Sequence, residues 1–408
     1  MKHQVVPLHR GLRPNFVGWQ RLAQHVHPQS LTEQEVLGFQ CFADLSSGHA
    51  YHELPVALAT LPDEISMLWR EAAEQTPKEW EQRFIAAFCA MSGVHSIAQL
   101  PFCRPCPTAS NSIELAAAML RRRRLPTALV EPTFDNLALL LHRREVALHA
   151  IDERLIFDDM AINRLEQHLV SSGAGALFIV SPSNPTGRCL TPTHFSAIAE
   201  LCARYGVVLV IDSSFRMYNR DLFDDVALLL RSGVSFIAFE DTGKSFPTLD
   251  TKASLIYASP DLANELETLY NEVYLCASGI SLLLLSRAFE RTQHAGIDSV
   301  LWSLVDQRRM LLRAALAGSG LYTAPESLHS VIGLEWMTVG LDAVTDIEVC
   351  SRLDAMGVAA LTGRQFFWAS QDQPGSHRRI RLSMMKPARR FNAALRILEQ
   401  ATFYRKAG

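Results

Sequence analysis

No stretch of this sequence is apolar for long enough to cross a bilayer. The longest apolar run near its middle, Ile280 to Leu285, falls far short of the roughly 20 residues a spanning helix needs. The segment Met1 to Gln40 mixes His, Arg, Pro and Gln among its apolar residues and has no apolar core of the kind secretion signals carry, so no signal peptide is expected. Excess charge of one sign is also missing. A net charge of −3 gives no global reason to expect nucleic acid or an anionic membrane as partner. The eight cysteines have no repeating spacing and read as free thiols in a reducing compartment. Cys103-Arg104-Pro105-Cys106 looks like half of a zinc or redox motif, but no second such pair exists, so two free thiols and no metal are expected. There is no internal repeat and no low-complexity linker. These absences leave a cytoplasmic enzyme that meets neither membrane nor nucleic acid.

What is present is ample core material. Of 408 residues, 48% are hydrophobic, and a chain of this length exceeds one compact core and suggests two domains. The middle alternates short β-rich runs with helical patterns. The runs are Thr127 to Glu131, Ala176 to Ser181, Val207 to Asp212, Val234 to Glu240 and Ala253 to Ser259. Helical patterns such as Ile113 to Arg123 and Pro192 to Tyr205 lie between them. Continuous apolar strands separated by helices imply a mostly parallel sheet covered on both faces, an α/β fold. The last third predicts a long helix over Ile297 to Leu316, strands at Ser330 to Met337, Val358 to Leu361 and Arg379 to Met384, and a closing helix at Ala388 to Phe403. The expected division is a large α/β domain over residues 89–291 and a smaller α+β domain over 292–408, with residues 1–88 forming an N-terminal arm and part of the small domain.

Polar residues cluster where the strands end, which is where open α/β sheets bind ligands. The run ending at Ser181 continues as Pro182-Ser183-Asn184-Pro185-Thr186-Gly187. The next ends in Asp212, and the one after leads into Asp241-Thr242-Gly243-Lys244. Successive strands thus bring an amide, a carboxylate and an amine to one edge. A lone strand-end Asp is usually a cap or turn residue, and a lone Lys usually a solvated charge; it is their joint order that points to a site.

Ser183-Asn184-Pro185-Thr186-Gly187, Asp212, Lys244 and Arg381-Leu382-Ser383 together resemble the fold-type I pyridoxal-phosphate enzymes, class I/II aminotransferase group, from about Leu45 to Lys386. The resemblance implies a large domain with a mostly parallel sheet between helices, a smaller α+β domain, a pyridoxal 5'-phosphate cofactor and a homodimer. It makes Lys244 the Schiff-base lysine, Asp212 the partner of the pyridine nitrogen, and Asn184 a donor to the ring oxygen and a neighbour of the substrate. It makes Arg381 a bidentate partner of the substrate α-carboxylate. Thr108, Ala109, Ser110 and Asn111 become a phosphate cup at a helix N-terminus, where an ordinary N-cap is the alternative. Phe134 becomes the ring stacked on the cofactor, a core aromatic being the alternative. Thr242 and Lys252 complete the cofactor shell, with Lys252 standing where the family usually has an arginine.

Several positions depart from ordinary aminotransferases. Phe215 stands where many members have a Tyr, and Asp241 and Gly243 stand where Ser or Thr are common. Asp241 next to a phosphate would be repelled, so it either faces a cationic substrate group or serves as a cap or ion-pair partner. Gly48-His49-Ala50, with Gly48 and His49 over the substrate, together with Glu240-Asp241-Thr242-Gly243-Lys244 resembles a narrower subgroup: pyridoxal-phosphate arginine oxidases (hydroxylases) and the cyclases that form capreomycidine or enduracididine. His49 would then be an acid–base group; a His bonded into a loop is the alternative. Ser47 replaces an acidic residue of that subgroup. Three functions remain open: a specialised enzyme of secondary metabolism acting at Cα of a free, polar or arginine-like L-amino acid, by oxidation, hydroxylation or cyclisation; an ordinary aminotransferase; and a non-catalytic binding domain. Arg121 to Arg124 reads as a solvated helix end, and Leu282 to Leu285 as core or dimer interface.

Overall fold

The computed structural model describes residues 30–340, 345–373 and 375–403. The expected N-terminal arm lies partly outside these. Among the described residues, thirteen strands occur in chain order: β1 (Ala43–Asp44), β2 (Phe102–Cys106), β3 (Thr127–Glu131), β4 (Leu148–Asp152), β5 (Ala176–Val180), β6 (Val208–Asp212), β7 (Phe236–Asp241), β8 (Ser254–Ala258), β9 (Leu321–Thr323), β10 (Leu334–Val339), β11 (Val358–Ala359), β12 (Leu361–Thr362) and β13 (Arg379–Ser383). Seven form a large sheet in the order β2-β8-β7-β6-β5-β3-β4. Its core, β4-β3-β5-β6-β7, is parallel, while β8 runs antiparallel to both β7 and β2. This is the mostly parallel sheet the alternation predicts.

The central strands β5, β6 and β7 are buried at every position. Covering helices remove both faces from water, which is why these segments are uninterrupted apolar runs. The sheet also contains two strands that the runs do not predict. β2 carries Arg104 and Pro105, residues that argue against a strand interior. Pro105 is tolerated because β2 is the edge of the sheet and needs only one neighbour. β4 is the opposite edge, half exposed, and its Leu-His-Ala-Ile-Asp lacks a continuous apolar pattern.

The C-terminal part builds a four-stranded antiparallel sheet, β12-β13-β10-β9. The expected Val358 to Leu361 strand divides in two: Val358–Ala359 pairs with β1, while Leu361–Thr362 pairs with β13. The long helix expected over Ile297 to Leu316 begins as a π-helical turn, Asp298–Trp302, before Ser303–Ala315. Through β1 and β11, the segment after the first described helix, Leu31–Gly38, joins the C-terminal elements.

Leu282, Leu283 and Leu285 are fully buried inside the chain, on the helix Gly279–Ala295. They are core, and cannot serve as the surface a partner would cover. Cys103 and Cys106, three apart on a strand, lie on opposite faces and cannot share a ligand. All eight cysteines are free, and the described residues contain no His/Cys/Asp/Glu group able to hold a metal. Nor does any described helix have the length and apolarity to cross a membrane.

Candidate active site

Parallel strands β5, β6 and β7 end on the same edge of the sheet, and their following residues line one cavity. It holds about 860 Å³ of empty space, part of it open to solvent. Around it stand Thr108, Ala109, Ser110, Phe134, Asn184, Asp212, Asp241, Lys244, Lys252 and His49. Residues from six separate stretches of sequence therefore meet.

Asp212 closes β6 and is buried. Its Oδ1 accepts the Ser214 N–H at 2.8 Å. Burial pushes its carboxyl up to about 6, against the pull of the Ser214 bonds; the nearby Asp241 charge adds to the rise and Lys244 opposes it. A cation at the cavity floor would find here a carboxylate short of positive partners.

Lys244 ends a short 3₁₀ turn, Thr242–Lys244, directly after β7. The turn is fixed from three sides. Asp241 Oδ1 accepts the Gly243 N–H at 2.9 Å, Tyr218 Oη donates to the Lys244 carbonyl at 2.7 Å, and the Ala50 N–H donates to the Gly243 carbonyl at 3.0 Å. Asp241 thus performs the capping role and still lines the cavity. Gly243 has a packing reason to lack a side chain: a Cβ there would come within 2.8 Å of Lys252 Cδ. The two departures Gly243 and Lys252 are one adjustment, since the lysine stem crosses the space a Ser or Thr would fill. Lys252 Nζ reaches Asp250 Oδ1 at 3.0 Å and His49 Nε2 at 3.3 Å.

His49 stands over the amines. Its Nε2 is 3.5 Å from Lys244 Nζ, and its Nδ1 is 3.2 Å from Ser47 Oγ. The Lys244 charge, then burial, then Lys252, Lys386 and Arg381 drive its pKa far below the ordinary value, so the ring is neutral.

The helix Ala109–Arg122 points its N-terminus into the cavity through Ala109 and Ser110. Thr108 N–H and Oγ1 both donate to Asn111 Oδ1, at 3.1 and 2.8 Å. Asn111 is consequently turned back as a cap and stands away from the cavity lining. Thr242 is also set back, its Oγ1 accepting the Ala253 N–H at 3.0 Å.

Arg381 and Gly48 lie behind the lining as well. The Arg381 guanidinium is almost wholly buried. Its Nη2 donates to Glu35 Oε1 at 2.8 Å and to the Ser46 carbonyl at 2.6 Å, and its Nη1 to Asn184 Oδ1 at 3.3 Å. Because a guanidinium only donates, Asn184 must present Oδ1 to it, which turns Nδ2 to the other side. Arg381 Nε has no partner among the described residues. Its Cζ lies 5.6 Å from the Phe134 ring centre. Gly48 N–H also donates to Glu35 Oε1, at 3.1 Å.

Glu35 is the principal residue that sequence reasoning missed. It lines the cavity from the helix Leu31–Gly38 and occupies Arg381. The helix itself is announced by its capping box, Ser30 with Glu33, but nothing local marks Glu35. Thr32, Thr133, Asn136, Ser214 and Phe215 line the cavity too.

The donor set suits pyridoxal phosphate. The buried acid Asp212 would pair with a ring cation, the amine of Lys244 stands within the same cavity, and a helix N-terminus with Lys252 could hold a phosphate. The comparisons agree. Residues 107–397 match the model of aminotransferase class I and II. Threonine-phosphate decarboxylase from Sinorhizobium sp is 26% identical over 279 residues, 68% of this chain and 73% of that protein. The structure of MppP soaked with the product 2-ketoarginine superposes with a TM-score of 0.80 at 29% identity, covering 88% of this chain and 99% of that one. Aspartate aminotransferase from Thermus thermophilus with maleate shares the fold at 15% identity, with a TM-score of 0.73 over 96% of this chain and 100% of that one. With a matched span that runs from just before the helix Ala109–Arg122 to beyond Arg381, this chain belongs to the aminotransferase class I and II family and is a pyridoxal-phosphate-dependent enzyme.

Proposed function

We propose that the chain acts at Cα of a free L-amino acid with a polar or cationic side chain, as a specialised oxidase, hydroxylase or cyclase of secondary metabolism. The observation that carries this reading is the likeness to MppP, whose structure holds 2-ketoarginine as product, joined to two carboxylates, Glu35 and Asp241, on the cavity wall. Pyridoxal phosphate, when bound, draws electrons from the amino-acid Cα and so eases removal of its proton.

The chain's own residues take the following roles in this reading. Lys244 carries the cofactor and moves a proton at Cα. Asp212 keeps a proton on the ring nitrogen by charge pairing. Asn184 donates through Nδ2 to the ring oxygen, while Thr108, Ala109, Ser110 and Lys252 hold the phosphate. Phe134 packs on the ring. Asn111 and Thr242 support this shell from behind. Arg381 takes the substrate carboxylate in exchange for Glu35. Asp241 offers a carboxylate to a cationic side chain, and His49, with Gly48 leaving room beside Arg381, serves as a neutral base. Large and small domains meet around this cavity in the reading, within a homodimer.

An ordinary aminotransferase is the second reading, favoured by the family to which the chain belongs. Mass spectrometry of products from an amino-acid panel separates the two when run with and without O2 and with and without a keto-acid acceptor. Product that needs O2 but no acceptor supports the specialised enzyme. Keto acid released only when an acceptor is supplied establishes the aminotransferase instead.

A further inference from the structure

The segment Ser46 to Tyr51 is pinned along its length. The Ser46 carbonyl accepts from Arg381, Gly48 N–H donates to Glu35, Ala50 N–H to the Gly243 carbonyl and Tyr51 N–H to the Met385 carbonyl. His49 is therefore delivered to a fixed place, and what remains to be set is which ring nitrogen carries its proton.

Two neighbours decide that. On one side of the ring, Nε2 faces Lys252 Nζ at 3.3 Å and Lys244 Nζ at 3.5 Å. Ammonium groups donate and do not accept, so a protonated Nε2 would direct its hydrogen at two other donors. On the other side, Nδ1 faces Ser47 Oγ at 3.2 Å. That oxygen also receives the His49 N–H at 3.4 Å, and a hydroxyl oxygen has lone pairs for both. Ser47 is fully buried, so water does not compete for it.

We infer that Ser47 is a positioning residue for His49: its hydroxyl oxygen accepts the Nδ1 proton and holds the ring with a bare Nε2 aimed at Lys244 Nζ. This deepens the proposed function, in which His49 is a neutral base, and gives Ser47 a task. Where an acidic residue would pull a second proton onto the ring, a hydroxyl fixes the tautomer without adding charge. The charges that weigh most on the ring are cations, Lys244, Lys252, Lys386 and Arg381, while the acids of the cavity, Glu35 and Asp241, and Asp250 on Lys252 stand further off. The cations keep the ring neutral, and the contacts at Nδ1 and Nε2 select its tautomer.

The test reads the ring directly. Full-length protein carrying ¹⁵N-histidine is stripped of cofactor, so that both lysines carry free ammonium groups, and His49 is assigned by its loss in His49→Gln. The expected wild-type spectrum has a protonated Nδ1 and an unprotonated Nε2. Ser47→Ala is expected to shift the ring to a mixture of tautomers, and Ser47→Thr to restore it. In the loaded enzyme, Ser47→Ala is expected to lower kcat about tenfold, roughly 1.4 kcal/mol, with little change in KM. A proton on Nε2 in the wild-type protein overturns the inference and needs no variant to fold; so does an unchanged tautomer in folded Ser47→Ala. Because the spectrum is read without substrate, failure of the proposed reaction is seen separately, in the product panel.

Discussion

At the residue scale, the cavity holds two groups whose chemistry follows from where the backbone puts them. Lys244 is fixed by hydrogen bonds to its own and its neighbour's carbonyl groups, leaving only the side chain to move. Borohydride treatment of the purified protein should attach a pyridoxyl group to Lys244; peptide mapping that finds the adduct on a different residue would remove the assignment. Asp212 makes a prediction with a definite sign. Burial raises its pKa from the ordinary 3.8 to about 6, so the folded, cofactor-free protein holds this proton more tightly than the unfolded chain. The contribution to stability is full below the unfolded value and is lost as pH rises through about 6, a swing on the order of 3 kcal/mol. Asp212→Asn removes the titration. In thermal melts of cofactor-free protein the variant should exceed wild type at pH 8 and match it near pH 4. Parallel pH dependence of the two Tm values would show that Asp212 is not buried as a charge.

At the element scale, the helix Leu31–Gly38 and the strand β13 are linked through one buried ion pair, Glu35 with Arg381. The pair also collects Gly48 and Asn184, so helix, loop and strand share one charged node. A substrate carboxylate can bind Arg381 only by competing with a carboxylate already there. Glu35→Gln keeps the side-chain length and one acceptor but removes the competing charge. Simple carboxylates such as acetate and maleate should then bind about tenfold more tightly by calorimetry, a gain near 1.4 kcal/mol. Equal or weaker binding would mean that Glu35 assists the ligand and that Arg381 is structural. The loop after β5 shows how an element supports the site from behind. Ser183 and Thr186 hydroxyls both donate to Glu153 Oε2, at 3.3 and 2.9 Å, so the residues flanking Asn184 are anchored under it.

At the scale of the molecule, the expectation of a homodimer no longer draws on Leu282, Leu283 and Leu285, which the chain buries for itself. Apolar side chains face solvent elsewhere. Leu249 is 81% exposed, next to Asp250, which holds both Lys252 and Tyr51; Leu275 is 90% exposed. Burying such groups on a partner would contribute through the hydrophobic effect and bring a second chain close to the cavity. Light scattering should give twice the chain mass; a fully active monomer at low concentration would contradict this.

Much of this arrangement was written along the chain. β5, β6 and β7 were legible because strands buried on both faces must be apolar throughout, and the place of Asn184, Asp212 and Lys244 at one edge because each ends its strand or lies within a few residues of its end. The edge strands β2 and β4 were not, since a strand with one neighbour tolerates Pro105 or a polar face, and that relaxes the pattern. The partnership of Glu35 with Arg381 spans 346 residues, and no local spacing encodes it. Local sequence determined which groups stand at the strand ends, because backbone direction alone carries them to one edge. Only the tertiary structure decided which of them face the cavity and which are held back, because that depends on hydrogen bonds and steric contacts made by residues far apart in the chain.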